Sequence, residues 1–244
     1  MNNTLTDKYA EPRRLALITG TALMIMTLAA AFSYGFAHES LLVPGDADAT
    51  LQNLISRNPL LKAEILGWII ILACDIIVAW SCYVFLKPVS KSLSLLGAWL
   101  RLMYSAILGV AIMNLLWVQL LSTDTDTRSS FAPNQLGEQA ILHLEAFESI
   151  WSVGLILFGG HLLILGLLAC RSKIVPLWIG ILLLTASPGY ILIHLFNLFL
   201  AEYEGIGRVL NAIFILPMTA GELGFGLWML FRGGKRPLGD IPTK

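Results

Sequence analysis

Five ionisable side chains lie inside long apolar runs of this chain: Asp75, Arg101, His161, His194 and Glu222. A charge at the centre of a bilayer costs about 2.5–3.5 kcal/mol on insertion scales, so such groups turn toward one another rather than toward lipid. One guanidinium, two carboxylates and two imidazoles can pair as ions, hold a proton or bind a small polar ligand. Arg101 with Asp75 and Glu222 sums to one negative charge, which a proton shared on Glu222 or His161 would balance. Helical spacing groups further residues with them. Glu64, Trp68, Asp75 and Cys82 share a face, as do Asn211, Met218 and Glu222, and as do Ser187, Tyr190, His194 and Asn197. Asn114 falls off the face of Arg101 and is expected to meet a different neighbour.

The elements that must position these groups are six apolar runs: Leu15–Ala37, Ile65–Leu86, Leu93–Leu121, Ser149–Cys170, Ile174–Ala201 and Val209–Phe231. Each exceeds the ~20 residues that a helix needs to cross a bilayer. None alternates with period two, as barrel strands must. The third and fifth runs are the longest, so those helices must tilt or emerge at one end. Composition agrees: 57% of residues are hydrophobic and 13% charged, with a mean hydropathy of +0.75. Soluble domains are about a quarter charged. Sixteen Lys+Arg balance sixteen Asp+Glu, which leaves no basic face for nucleic acid. The apolar content excludes a disordered chain.

Orientation follows from Lys and Arg. The N-terminal segment, the second and fourth connectors and the C-terminal tail carry eleven of them; the opposite side carries Arg57, Lys62, Arg128 and Arg208. Both termini are therefore predicted to be cytoplasmic, with segments 1–14 and 232–244 inside and 15–231 as a six-helix transmembrane domain. The first run exceeds the usual ~7–15-residue apolar core of a signal peptide and passes into Tyr34-Gly35-Phe36 without a small-x-small cleavage site. Cys74, Cys82 and Cys170 sit within the runs and read as small apolar residues, not as a disulfide framework.

At ~1.5 Å rise per residue, Asp75, Arg101, His161 and Glu222 fall roughly 12–17 Å from the cytoplasmic ends of their runs, and His194 about 30 Å. Four helices thus place a titratable group at one level. In one reading Arg101 pairs with both carboxylates to fix packing, and His161 is a satisfied interior histidine. In another these residues line a polar pocket for a small ligand or for protons. A bis-histidine haem is disfavoured, because His161 and His194 differ by about 15 Å in depth. No cofactor or metal is predicted. Ser187-Pro188-Gly189 is expected to interrupt the fifth helix, since Pro removes a hydrogen bond, and such breaks are tolerated where they line a cavity or pack in protein.

The connectors add little chemistry. Asp46, Asp48 and Thr50 could open a calcium loop, but Leu51 and Arg57 stand where Gly and Glu are required. A Pro44-Gly45 turn and an Asp-capped helix fit instead. Leu51, Leu54 and Ile55 on one face of it predict a short interfacial helix. There is no Gly-x-Ser-x-Gly elbow, no His-Glu-x-x-His, no Cys-x-x-Cys and no phosphate-binding lysine loop. Ser187 is a weak nucleophile candidate. The glycines at 221, 224 and 226 are expected to let helices approach closely.

With these residues the chain resembles the bacterial membrane proteins grouped as domain-of-unknown-function family 4386. The resemblance is carried by Val43-Pro44-Gly45-Asp46 with Thr50 and Asn53, by Asp75, by Tyr83 with Leu86-Lys87-Pro88-Val89, and by Arg101. It continues through Phe158-Gly159-Gly160-His161-Leu162 with Gly166, Ser172 with Pro176 and Gly180, Gly189-Tyr190, and Glu222 with Leu227-Trp228. It runs from about Pro12 to Arg232 and departs at Ser90, where the family often has Asn. It implies a six-helix integral membrane protein and supplies no reaction, substrate or cofactor.

The sequence thus predicts an all-α polytopic membrane protein of the bacterial cytoplasmic membrane, with lipid as its surroundings. Its best functional reading is small-ligand binding or transport through a polar pocket of Asp75, Arg101, His161, Glu222, Tyr190 and His194. The alternative is a structural or accessory role with a membrane-protein partner or a second copy of the chain. A lipid-modifying enzyme ranks third, and catalysis is the lesser expectation.

Overall fold

The computed structural model describes residues 3–124, 131, 133–200 and 203–235. The ends of the predicted terminal segments, the last residue of the fifth predicted run and part of the second outer connector lie outside the described residues. The elements are α1 (Asn3–Phe32), a π-helical segment (Ser33–His38), α2 (Glu39–Leu41), α3 (Ala47–Ser56), α4 (Asn58–Leu86), α5 (Lys91–Thr123), α6 (Pro133–Arg171), α7 (Leu177–Phe199) and α8 (Glu204–Phe231). Among the described residues there is no strand. Six segments are long and apolar enough to cross a membrane: Glu11–Leu41, Asn58–Leu86, Lys91–Thr123, Gln135–Arg171, Leu177–Phe199 and Gly205–Phe231. Large apolar side chains face outward on them, with Leu28 73% and Leu216 72% exposed, while Asp75 and Arg101 are buried. Apolar outside and ionic inside is the arrangement a bilayer requires.

Two sequence expectations about helix limits are corrected. The fifth helix begins only at Leu177, because Pro176 has an extended ψ of 134° and stands as its N-cap; Ile174 and Val175 belong to the turn. Pro188 does not interrupt that helix, which runs unbroken to Phe199. Proline removes a single ladder bond, whereas opening the helix in an apolar medium would strand several backbone groups. The longest helix is instead α6, 39 residues, which absorbs the end of the second outer connector.

The chain forms two compact units, one of Met1–Ile25, Cys74–Ser105 and Ser152–Lys244, the other of Met26–Ala73 and Ala106–Trp151. In the first unit α7 and α8 pack along one another. The missing side chain of Gly189 makes room for Phe214, whose Cβ a Cβ there would meet at 2.7 Å. The start of α1 lies against the end of α8. A Cβ at Gly20 would stand 2.6 Å from Leu230 N, so only glycine permits the approach. Arg13 then caps α8 from outside, donating to Gly233 O at 2.9 Å, Leu230 O at 2.7 Å and Met229 O at 3.3 Å. These carbonyls end a helix and have no intrahelical donor, and a cation there opposes the helix dipole.

In the second unit the connector Val43–Asn53 is tied to itself. Gly45 takes φ 77°, open to glycine without strain. The Asp46 carboxylate caps α3 by accepting from Ala49 N at 2.9 Å. The Thr50 hydroxyl accepts from Val43 N at 2.9 Å, and Asn53 Nδ2 donates to Leu41 O at 3.3 Å. This accounts for the spacing of Val43-Pro44-Gly45-Asp46 with Thr50 and Asn53. The expected interfacial helix is corrected in part, since Leu51 and Leu54 are buried in protein and only Ile55 is partly exposed.

Candidate functional site

The site is assembled within the first unit from α4 (Asp75), α5 (Arg101), α6 (Phe158, His161), α7 (Tyr190, His194) and α8 (Glu222). Arg101 is its centre. Its Nε and Nη2 both donate to Asp75 Oδ1, at 2.8 and 2.6 Å. Asp75 is fully buried, and its Oδ2 has no hydrogen-bond partner among the described residues. Arg101 Nη1 lies 3.2 Å from His161 Nε2. A guanidinium only donates, so Nε2 must be the acceptor and His161 carries its proton on Nδ1. That proton is donated to Gly97 O at 2.8 Å. His161 is therefore a neutral imidazole that orients the cation.

Phe158 joins the remaining groups. The Arg101 guanidinium lies 5.2 Å from its ring centroid, a cation–π distance. The Tyr104 and Tyr190 rings stand 5.0 and 5.1 Å from the same ring. Tyr190 donates a short hydrogen bond to Glu222 Oε1. His194 stacks near Tyr190 at 6.2 Å, and its Nδ1 is 3.2 Å from the Ser152 hydroxyl. Asp75, Arg101 and His161 are thus in direct contact. The Glu222 carboxylate is held by the Tyr190 phenol. Of the two carboxylates expected to pair with Arg101, Asp75 is the one in direct contact, and Glu222 is hydrogen-bonded by Tyr190. A recess beside His161, lined by Cys82, Tyr83, Ser94, Gly97 and Leu165, has a volume of about 10 Å³, close to the room one water needs.

A second polar cluster, in the other unit, escaped the sequence reading. His38, at the end of the π-helical segment, places Nδ1 2.8 Å from Glu64 Oε1 and Nε2 3.4 Å from Glu148 Oε1. Tyr34 stacks on the imidazole at 5.6 Å, and Phe147 stands 5.9 Å away. Trp68 and Trp151, 4.8 Å apart, close the wall. The available signal was Glu64 on the buried face of α4, a carboxylate that needed a partner. Its partner was hidden because the π turn decides where His38 points. Among the described residues, no group of His, Cys, Asp or Glu is arranged to hold a metal ion.

Six apolar spans, ionic groups turned inward and no strand among the described residues define a multi-pass helical membrane protein. Within that class, the family described as Domain of unknown function (DUF4386) matches residues 18–233, and the chain belongs to it. The chain is also similar to an uncharacterized protein of the archaeon Archaeoglobus fulgidus, 30% identical over 182 residues that span 75% of this chain and 90% of that relative. No solved structure matches the chain.

Proposed function

We infer that the protein binds or transports a small polar ligand, or protons, at the Asp75–Arg101–His161 cluster, with Glu222, Tyr190 and His194 as its flank. It does so as a protein of the bacterial cytoplasmic membrane, with both termini inside, short cytoplasmic segments at 1–14 and 232–244, and 15–231 as one transmembrane domain. The observation that carries the reading is the single-sided use of Asp75. Two guanidinium nitrogens crowd one carboxylate oxygen, while the other, fully buried, has no hydrogen-bond partner among the described residues. A cluster built only for packing satisfies both oxygens, because an unmet buried acceptor costs about 1–3 kcal/mol, and more when charged. Here that oxygen can accept from an incoming donor.

The test replaces the charges together: Asp75→Asn, Arg101→Leu and Glu222→Gln in one protein. It is read by thermal stability in detergent and by complementation of a deletion strain. The expected result is a protein that inserts and melts normally and loses the phenotype. Normal melting with full complementation would overturn the binding reading and leave packing, and with it the accessory role.

A further inference from the structure

We propose that His38 relays a proton between Glu148 and Glu64, which makes Glu64 a buried proton-binding site that exchanges with water through Glu148. This cluster belongs to the second unit and does not depend on the Asp75–Arg101 reading.

Geometry supplies the first support. One imidazole has a carboxylate near each ring nitrogen. Glu64 Oε1 is hydrogen-bonded at 2.8 Å to Nδ1. Glu148 Oε1 stands 3.4 Å from Nε2, an ion-pair distance without hydrogen-bond geometry that a small side-chain rotation must close before a proton passes. A ring with an acceptor at each end can take a proton at one nitrogen and release one at the other. The second support is a gradient of exposure along that line. The Glu148 side chain is 45% exposed, that of His38 3% and that of Glu64 1%. Glu148 immediately precedes the apolar run that opens at Ser149, in the part of α6 that the sequence assigns to the outer connector. The third is an enclosure that forces the route. Tyr34, Trp68, Phe147 and Trp151 pack ring against ring around the imidazole. The fourth is an unused acceptor: Glu64 Oε2 is buried and has no hydrogen-bond partner among the described residues. The π-helical segment Ser33–His38 fixes the ring, and such turns are frequent at functional sites.

The groups facing the imidazole are Glu64 from α4 and Glu148 from α6, with Tyr34 and Glu39 from its own stretch of chain. Among the described residues, no Lys or Arg forms an ion pair with either carboxylate. Two carboxylates and a neutral imidazole with its proton on Nδ1 sum to two negative charges, so the cluster has a use for a further proton. The step balances as follows. Water gives a proton to the Glu148 carboxylate, which passes it to His38 Nε2. The imidazolium so formed loses its Nδ1 proton to Glu64 Oε1, leaving a neutral ring with the proton on Nε2. The net change of the two transfers is one proton moved from water to Glu64, with the ring proton shifted from Nδ1 to Nε2; their reversal returns the proton to water and restores the start.

The experiment uses the full chain in lipid nanodiscs, with a pH jump followed by infrared absorption of protonated carboxyl groups. In the unaltered protein acidification raises a carboxyl band that Glu64→Gln removes. Glu148→Gln keeps the band and slows its rise at least about tenfold, as loss of a positioned proton donor does. His38→Gln slows it as well, because an amide does not relay. Near-ultraviolet circular dichroism checks the tryptophan packing in each variant. Should His38→Gln misfold, Glu148→Gln decides alone, since its half-exposed side chain is replaced by an isostere. A band that Glu64→Gln leaves in place, or a rise that Glu148→Gln does not slow, overturns the proposal and makes the triad a static clamp.

Discussion

At Arg101 the cost of ionic burial is met by three different partners: the Asp75 carboxylate, the lone pair of His161 and the face of Phe158. Arg101→Ala would leave the Asp75 carboxylate buried without its cation. Removing one partner of such a pair costs about 3–5 kcal/mol, so a large fall in melting temperature in detergent is expected. Arg101→Lys is expected to recover only part of it, since a single ammonium lacks the planar fork that reaches Asp75 and His161 at once. A melting temperature unchanged in the alanine variant would mean that the cluster carries no stability. Sequence made the meeting of Asp75, Arg101 and His161 legible, because ionisable groups in an apolar run must find each other. It did not show that Glu222 binds Tyr190, since that depends on the rotation of α8 against α7. Nor did it show His38, which lies where the chain nears water and where an imidazole raises no demand for a partner.

Helix limits here are set by a few local devices of unequal legibility. Pro44-Gly45 before Asp46 announces a turn and a cap, and the structure has both. The π turn at Ser33–His38 has no such signature, since one extra residue per turn leaves composition unchanged. Pro188 sent a signal that the apolar surroundings outweigh, as α7 runs through it. The capping device can be weighed alone. Asp46→Ala removes the acceptor for Ala49 N while touching an exposed side chain. Loss of an N-cap costs about 1 kcal/mol. Amide exchange in the first turn of α3 should quicken severalfold, while the membrane-spanning helices keep their protection. Asp46→Ser should restore slow exchange, because a serine hydroxyl accepts the same bond. Unchanged exchange in the alanine variant would assign the helix start to the Thr50 and Asn53 contacts instead.

Across the whole molecule the distribution of Lys and Arg makes a statement about direction that helix packing alone does not. Loops rich in these residues resist translocation, and the bias acts over short connectors close to the spans. All the connectors here are short, so the rule applies to each. Lys87 and Lys91 flank the turn between α4 and α5, and Arg171 and Lys173 flank that between α6 and α7. Both turns are therefore expected on the same side as the N-terminal segment, which carries Arg13 and Arg14. Single cysteines can test each turn, since Pro88 and Lys173 are exposed and Arg57 is an exposed position at the opposite end of α4. A membrane-impermeant maleimide added to intact cells should label Arg57→Cys and leave Pro88→Cys and Lys173→Cys untouched until the membrane is opened. The native cysteines are a small background, with Cys74 and Cys82 buried and Cys170 only partly exposed. Labelling of Pro88→Cys from outside would reverse the molecule. It would also place Glu148, the water end of the His38 relay, on the cytoplasmic side, so the same measurement fixes which compartment supplies that proton.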